Sequence, residues 1–154
     1  MLPTNERLCL QTAIKLLAGR DHSELELRRR LASKDFDTDI IDKVIENLLS
    51  RRYLDDVTLC TTIFNKYLAT GKYGLNAVVA RLKQRQFSSS VIQAIVKDYD
   101  QSQGLQAASV LVTRRFAHAS PEDAPKIARF LTARGFSPGI VINVLESLRL
   151  TDDN

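Results

Sequence analysis

Few residues of this chain have the types needed for bond-making chemistry. Its histidines are His22 and His118 and its cysteines Cys9 and Cys60. A zinc site built from these four would need ligands from four separate stretches, with none of the short spacings that place two ligands on one turn. The pair Asp55-Asp56 has the residue types of a magnesium site for phosphodiester cleavage. It precedes an apolar helical run, where capping the helix start is the simpler role. His22 stands just before a helix start and is expected to cap or pack. His118 stands near a helix end, where an imidazolium suits the dipole. No G-x-x-x-x-G-K-[ST] loop and no G-x-G-x-x-G turn offers a nucleotide site. The expectation is a protein that is not an enzyme, with no catalytic residue, no metal and no cofactor.

What remains is charge. The net charge is only +4, yet residues 57–97 contain no Asp or Glu. That stretch holds Lys66, Lys72, Arg81, Lys83, Arg85 and Lys97, and Arg114 and Arg115 follow against Asp98 and Asp100. Such an imbalance implies an anionic partner, either nucleic acid or an acidic protein surface; a merely solvated face is the other reading. Tyr53 and Tyr73 lie beside basic residues at element junctions. Packing over a turn is their expected role, since no aromatic cluster accompanies either as a base-stacking platform. No apolar run approaches the roughly 18 residues of a membrane span. Glu6 and Arg7 precede the first apolar positions, with no secretory h-region. Two thiols without a disulfide framework suit a reducing compartment, so a cytoplasmic location is expected.

The elements that position these charges repeat. Leu27, Leu31, Phe36, Ile40, Ile41, Val44, Ile45 and Leu48 fall at helical spacing. A shift of 51 residues gives Val78, Leu82, Phe87, Val91, Ile92, Ile95, Val96 and Tyr99. A shift of 100 gives Ile127, Leu131, Phe136, Ile140, Val141, Val144, Leu145 and Leu148. Every position is apolar in every copy, and the same Phe recurs at a turn, as an interhelix plug. Each copy has a preceding stripe: Leu10, Ala13, Ile14, Leu17 and Ala18; then Cys60, Ile63, Phe64, Tyr67 and Leu68; then Ala108, Leu111, Val112 and Phe116. The predicted fold is all-α, with three tandem three-helix repeats over 1–54, 55–102 and 103–150 and an acidic tail over 151–154. Modules this small must pack on their neighbours, which predicts an elongated, curved body.

Boundary residues agree. Ser23 and Glu26 have the S-x-x-E form of a capping box. Asp37 can cap the third helix, Asp55 or Asp56 the fourth, and Ser88 the sixth. Gly71 and Gly74 bracket a turn. Ser120-Pro121 and Ser137-Pro138 each read as a cap followed by proline at the first helical position.

The stretch from Arg20 to Leu31, reading RDHSELELRRRL, resembles the signature of the RecX family of bacterial recombinase regulators. Tyr53-Leu54-Asp55-Asp56 matches the motif between that family's first and second modules. Lys126 to Phe136, KIARFLTARGF, is similar to its C-terminal unit. The likeness spans nearly the whole chain. The second module departs from it: Leu75 replaces a Pro, Ala77 an Arg and Gln86 a Gly. The resemblance implies a small cytoplasmic protein that lies in the helical groove of the RecA–DNA filament. There it modulates, mostly inhibits, strand exchange, ATPase and co-protease activity in the SOS response. The residues expected to dock electrostatically are Arg28, Arg29, Arg30, Lys34, Lys72, Arg81, Lys83, Arg85, Arg129 and Arg134. Lys34, Arg85 and Arg134 occupy equivalent repeat positions. Some of the ten are also placed to pair with Glu24, Glu26 and Asp35. The expected partner is RecA in its nucleoprotein filament. Weak binding to single- or double-stranded DNA is compatible with the same residues, and a monomer with no membrane partner is expected. The alternatives are a direct DNA-binding helical module without a recombinase partner and a generic helical-repeat scaffold.

Overall fold

The computed structural model describes residues 4–152. Residues 1–3 and the last two of the expected acidic tail, 153–154, lie outside the described residues. The described residues form nine α-helices and one 3-10 turn, with no strand. Helices α1 (Thr4–Gly19), α2 (Glu24–Ser33) and α3 (Thr38–Ser50) come first. Then follow α4 (Asp56–Ala69), α5 (Leu75–Gln84) and α6 (Ser89–Val96). The last group is α7 (Gln101–Arg115), α8 (Ala124–Ala133) and α9 (Pro138–Asp152), with the 3-10 turn Pro121–Asp123 ahead of α8.

The middle helix of each group is 10 residues long. Its N-cap residue is Ser23, Gly74 or Asp123, and its C-cap residue Lys34, Arg85 or Arg134. The next residue enters the left-handed region in all three: Asp35 at φ 67°, Gln86 at 65° and Gly135 at 90°. This is how the chain stops one helix and turns at once into the next. The Phe that follows sends its N–H back to the helix, from Phe87 to the Leu82 carbonyl at 3.3 Å and from Phe136 to the Leu131 carbonyl at 3.1 Å. A hydrophobic residue at that position covers the helix end. That is the physical reason for the recurring aromatic. Phe87 and Phe136 are buried, and Phe36 packs against its own cluster.

Each group has its own core. Leu27, Leu31, Ile41, Val44, Ile45 and Leu48 fill the first, Val78, Leu82 and Ile92 the second, and Ile127, Leu131, Ile140, Val141 and Val144 the third. The substantial helix pairings stay inside a group: α1 and α2 with α3, α4 with α5 and α6, and α7 and α8 with α9. The accessible surface is 10074 Å² for a 17.3 kDa chain. A compact globule of that mass would expose about 7,800 Å². The three repeats therefore stack into an elongated body.

Four expectations change. The stripe of α1 changes at its edge: Ala13 is fully buried and Leu10 and Leu17 pack on the core as expected, but Cys9 is also fully buried, whereas Ile14 is 46% exposed and Ala18 faces out. Small side chains at the contact let α1 lie close on α3. Asp37 holds an N-cap backbone conformation but makes no side-chain cap bond. Ser120-Pro121 opens the 3-10 turn, with the Ser120 N–H donating to Asp123 at 3.0 Å, and α8 begins only at Ala124. Tyr53 is 62% exposed, while Tyr73 is half-buried edge-on to Tyr67, 5.8 Å between ring centres. The other caps are as expected: Ser23 with Glu26, Asp55 on the Thr58 N–H at 3.1 Å, and Ser88 on the Val91 N–H at 3.2 Å.

Candidate functional site

The ten basic residues divide into two sets. Arg29, Arg30, Lys34, Lys72, Lys83 and Arg129 are exposed and form no ion pair among the described residues. Arg28, Arg81, Arg85 and Arg134 are half-buried and engaged within the protein. Arg28 bridges α2 to α3, pairing with Glu24 at 3.3 Å and with Asp42. Arg81 lies over the Tyr73 ring at 4.2 Å and the Tyr67 ring at 5.4 Å, a pair of cation–π contacts that ties α5 to the α4–α5 turn.

Arg85 and Arg134 sit where neighbouring modules meet. At the first joint, Arg85 reaches back to module one. Its Nε lies 3.2 Å from a Glu26 oxygen, and its Nη2 donates to the Asp21 carbonyl at 3.1 Å. Glu26 is buried and carries two duties. One oxygen accepts the Ser23 N–H at 2.9 Å, closing the capping box, and the same atom faces Arg85 at 3.3 Å. Arg20 adds a looser contact at 3.7 Å. Burial pushes the Glu26 carboxyl up. The Ser23 N–H, Arg85 and Arg20 outweigh that and hold it below its ordinary 4.5. Asp56 at the start of α4 ties the same joint, accepting the Glu24 N–H at 2.9 Å. Burial raises its pKa despite that bond.

The second joint is made of backbone. The Gly74 N–H donates to the Arg134 carbonyl at 2.7 Å, and the Asn76 N–H to the Gly135 carbonyl at 3.0 Å. A Cβ on Gly74 would fall 2.4 Å from the Gly135 carbonyl carbon. Gly74 is thus required for close approach, at an ordinary φ of −80°, and Gly135 for both closeness and its φ. Arg134 lies 5.2 Å from the Phe130 ring and makes a long 3.4 Å contact to the Lys72 carbonyl. Lys72 is the repeat counterpart of Asp21, so both arginines reach the same backbone position. Ala77 stands where Glu26 stands, so Arg134 meets no carboxylate. Sequence reasoning named Glu26 as a pairing candidate without assigning its partner. The Glu26/Ala77 column of the repeat, beside the Arg85/Arg134 column, is the signal that finds it.

The remaining chemistry-bearing residues lie apart from one another. His22 is buried, and its Nδ1 lies 2.9 Å from the Arg20 carbonyl. His118 is exposed, three residues beyond the end of α7. Cys9 and Cys60 are buried in separate cores, and burial pushes the Cys60 thiol up to about 11. Such thiols are inert at neutral pH. Among the described residues, no three His, Cys, Asp or Glu groups converge as a metal site. No described helix is long and apolar enough to cross a membrane.

Comparison with known proteins covers both sequence and fold. The family described as RecX, first three-helix domain, matches residues 9–48. A protein named Regulatory protein RecX from Clostridioides difficile is 30% identical over 145 residues, covering 92% of this chain and 68% of the relative. Another of that name from Yersinia enterocolitica is 30% identical over 151 residues, covering 82% and 89%. The crystal structure of RecX from Lactobacillus salivarius is similar in fold, with a TM-score of 0.87 at 19% identity, over 97% of this chain and 99% of that one. Module motifs, repeat architecture and whole-length similarity agree: the chain belongs to the RecX family.

Proposed function

We propose that this chain is a cytoplasmic regulator that binds the RecA–DNA filament and modulates, mostly inhibits, its recombinase, ATPase and co-protease activities. The observation that carries the reading is the 145-residue similarity to a protein named Regulatory protein RecX. The architecture suits it. An elongated stack offers a long face to a filament groove, and several weak contacts on linked modules sum through effective concentration. The open cations Arg29, Lys34 and Arg129, one or two per terminal module, are the proposed electrostatic contacts. They act by docking, with no bond-making step.

The test is binding of the purified chain to single-stranded DNA and to preformed RecA filaments at two salt concentrations, with filament ATPase read in parallel. Strong filament binding, reduced ATPase and weak binding to bare DNA are expected. Combined reversal of Arg29, Lys34 and Arg129 to Glu should weaken filament binding more than tenfold. Unchanged inhibition by that variant would discard these contacts. The acid-free stretch 57–97 favours a second reading, direct DNA binding without a recombinase. Equal affinity for bare DNA and filament, with no ATPase change, would establish it instead.

A further inference from the structure

The second joint leaves an open cleft of about 530 Å³ between the α4–α5 turn and α7. Three cations line it, Lys72, Arg114 and Arg134, and no carboxylate does. The repeat supplies an internal control for that imbalance. At the first joint the corresponding arginine, Arg85, is neutralised by buried Glu26. At the second joint the counterpart of Glu26 is Ala77, and Arg134 is left with an aromatic face and a long contact to a carbonyl. None of the three cations is in an ion pair among the described residues.

The rest of the lining narrows the ligand. The α7 wall offers Val110, which is 43% exposed, beside half-buried Leu111. No aromatic ring lines the cleft, so a nucleic-acid strand would find no stacking platform there. Apolar wall and convergent guanidinium groups together match a carboxylate side chain next to an aliphatic one, since a guanidinium takes a carboxylate in a bidentate pair. We propose that the cleft between modules two and three binds a short acidic peptide segment of a partner protein, with aliphatic side chains against Val110 and carboxylates on Arg114, Arg134 and Lys72. The proposal borrows from the filament reading only the idea that the partner is a protein. Peptide binding is measured without any filament, so failure of either reading leaves the other measurable.

The probe is a fluorescein-labelled peptide of sequence EDLEDL, titrated with the full chain and read by anisotropy at low and moderate salt. A lysine-substituted peptide, KKLKKL, and a hexathymidylate oligonucleotide serve as controls. Binding that weakens with salt, at least tenfold tighter than for KKLKKL and tighter than for the oligonucleotide, is expected. Arg114→Glu, on an exposed helix position, should cost roughly tenfold or more. Gln103→Glu keeps the side-chain shape and installs a carboxylate in the lining, and should weaken binding about threefold. Tighter binding of the oligonucleotide, sensitive to Arg114→Glu, would overturn the peptide assignment in favour of a phosphate strand. Peptide binding indifferent to both substitutions would remove the cleft as the site.

Discussion

The two joints join like to like by different means. Between modules one and two the contact is a side-chain relay: Arg85 to Glu26, Glu26 to the Ser23 N–H, and Asp56 to the Glu24 N–H. Between modules two and three it is main chain on main chain, with Gly74 and Gly135 in contact that admits no Cβ. The same helix ends meet in both. Three repeat positions differ between the joints: Ser23, Glu26 and Gln86 at the first stand where Gly74, Ala77 and Gly135 stand at the second. The lesson is that a sequence repeat conserves where modules touch while leaving open what does the holding. Forces differ accordingly. A charged pair in partial solvent responds to pH and salt, whereas close backbone contact responds to volume.

The comparison breaks most readily at the glycines. Gly135→Ala places a Cβ 2.3 Å from the Ala77 nitrogen at a φ of 90°, and should destabilise by about 3 kcal/mol or more in urea unfolding. Alanine at Asp35, the matching left-handed position of module one, exchanges one side chain for another without adding a Cβ. A cost at Gly135 no larger than there would refute the close-contact account. Glu26→Ala comes next, at about 2–3 kcal/mol, because it removes the capping box and strands Arg85. Glu26→Gln, which can still accept the Ser23 N–H, should recover roughly half of that loss.

Acid should separate the joints without mutation. The folded Glu26 pKa lies below its ordinary 4.5. The stability it contributes is therefore fully present above 4.5 and lost as pH falls through the lower folded value. Asp56 has the opposite sign: its pKa is raised, so protonation relieves a cost at the same joint. Relative to its intrinsic rate, which itself falls with pH, the Ser23 amide should lose protection on acidification while that of Gly74 does not, and Glu26→Gln should abolish the difference. Equal acid response at both amides would show that the first joint is not held by charge. The smallest effect is a gain. Gln86 holds a φ of 65° and a buried side-chain oxygen without a partner. Gln86→Gly should stabilise by about 0.5–1 kcal/mol, seen as a higher urea midpoint.

Much of this was legible in the sequence. The apolar columns gave three copies and their turns, because burial at helical spacing leaves a mark in composition that no partner needs to supply. The capping box at Ser23 was readable for the same reason: its partners are three residues apart. The edge of the α1 stripe was not, since Ile14 outranks Cys9 in hydrophobicity, yet Cys9 is the one buried against the core. Of the ten basic residues, the sequence could not separate the six that stay open from the four that turn inward. Arg85 and Glu26 are 59 residues apart, and only the fold makes them neighbours.

One oxygen of Glu26 has a consequence for how the molecule comes apart. It serves a helix start and a module contact at once, so fraying of α2 and opening of the joint are a single event. In a linear array, the strength of each nearest-neighbour coupling decides whether units melt singly or in blocks. A coupling wired through a helix terminus transmits local melting to the neighbour, and one made by interlocked main chain does so only when the glycine turn itself yields. Modules two and three then form one unfolding block, and module one a second whose attachment weakens when Glu26 is protonated and then rests on the Asp56 bond to Glu24.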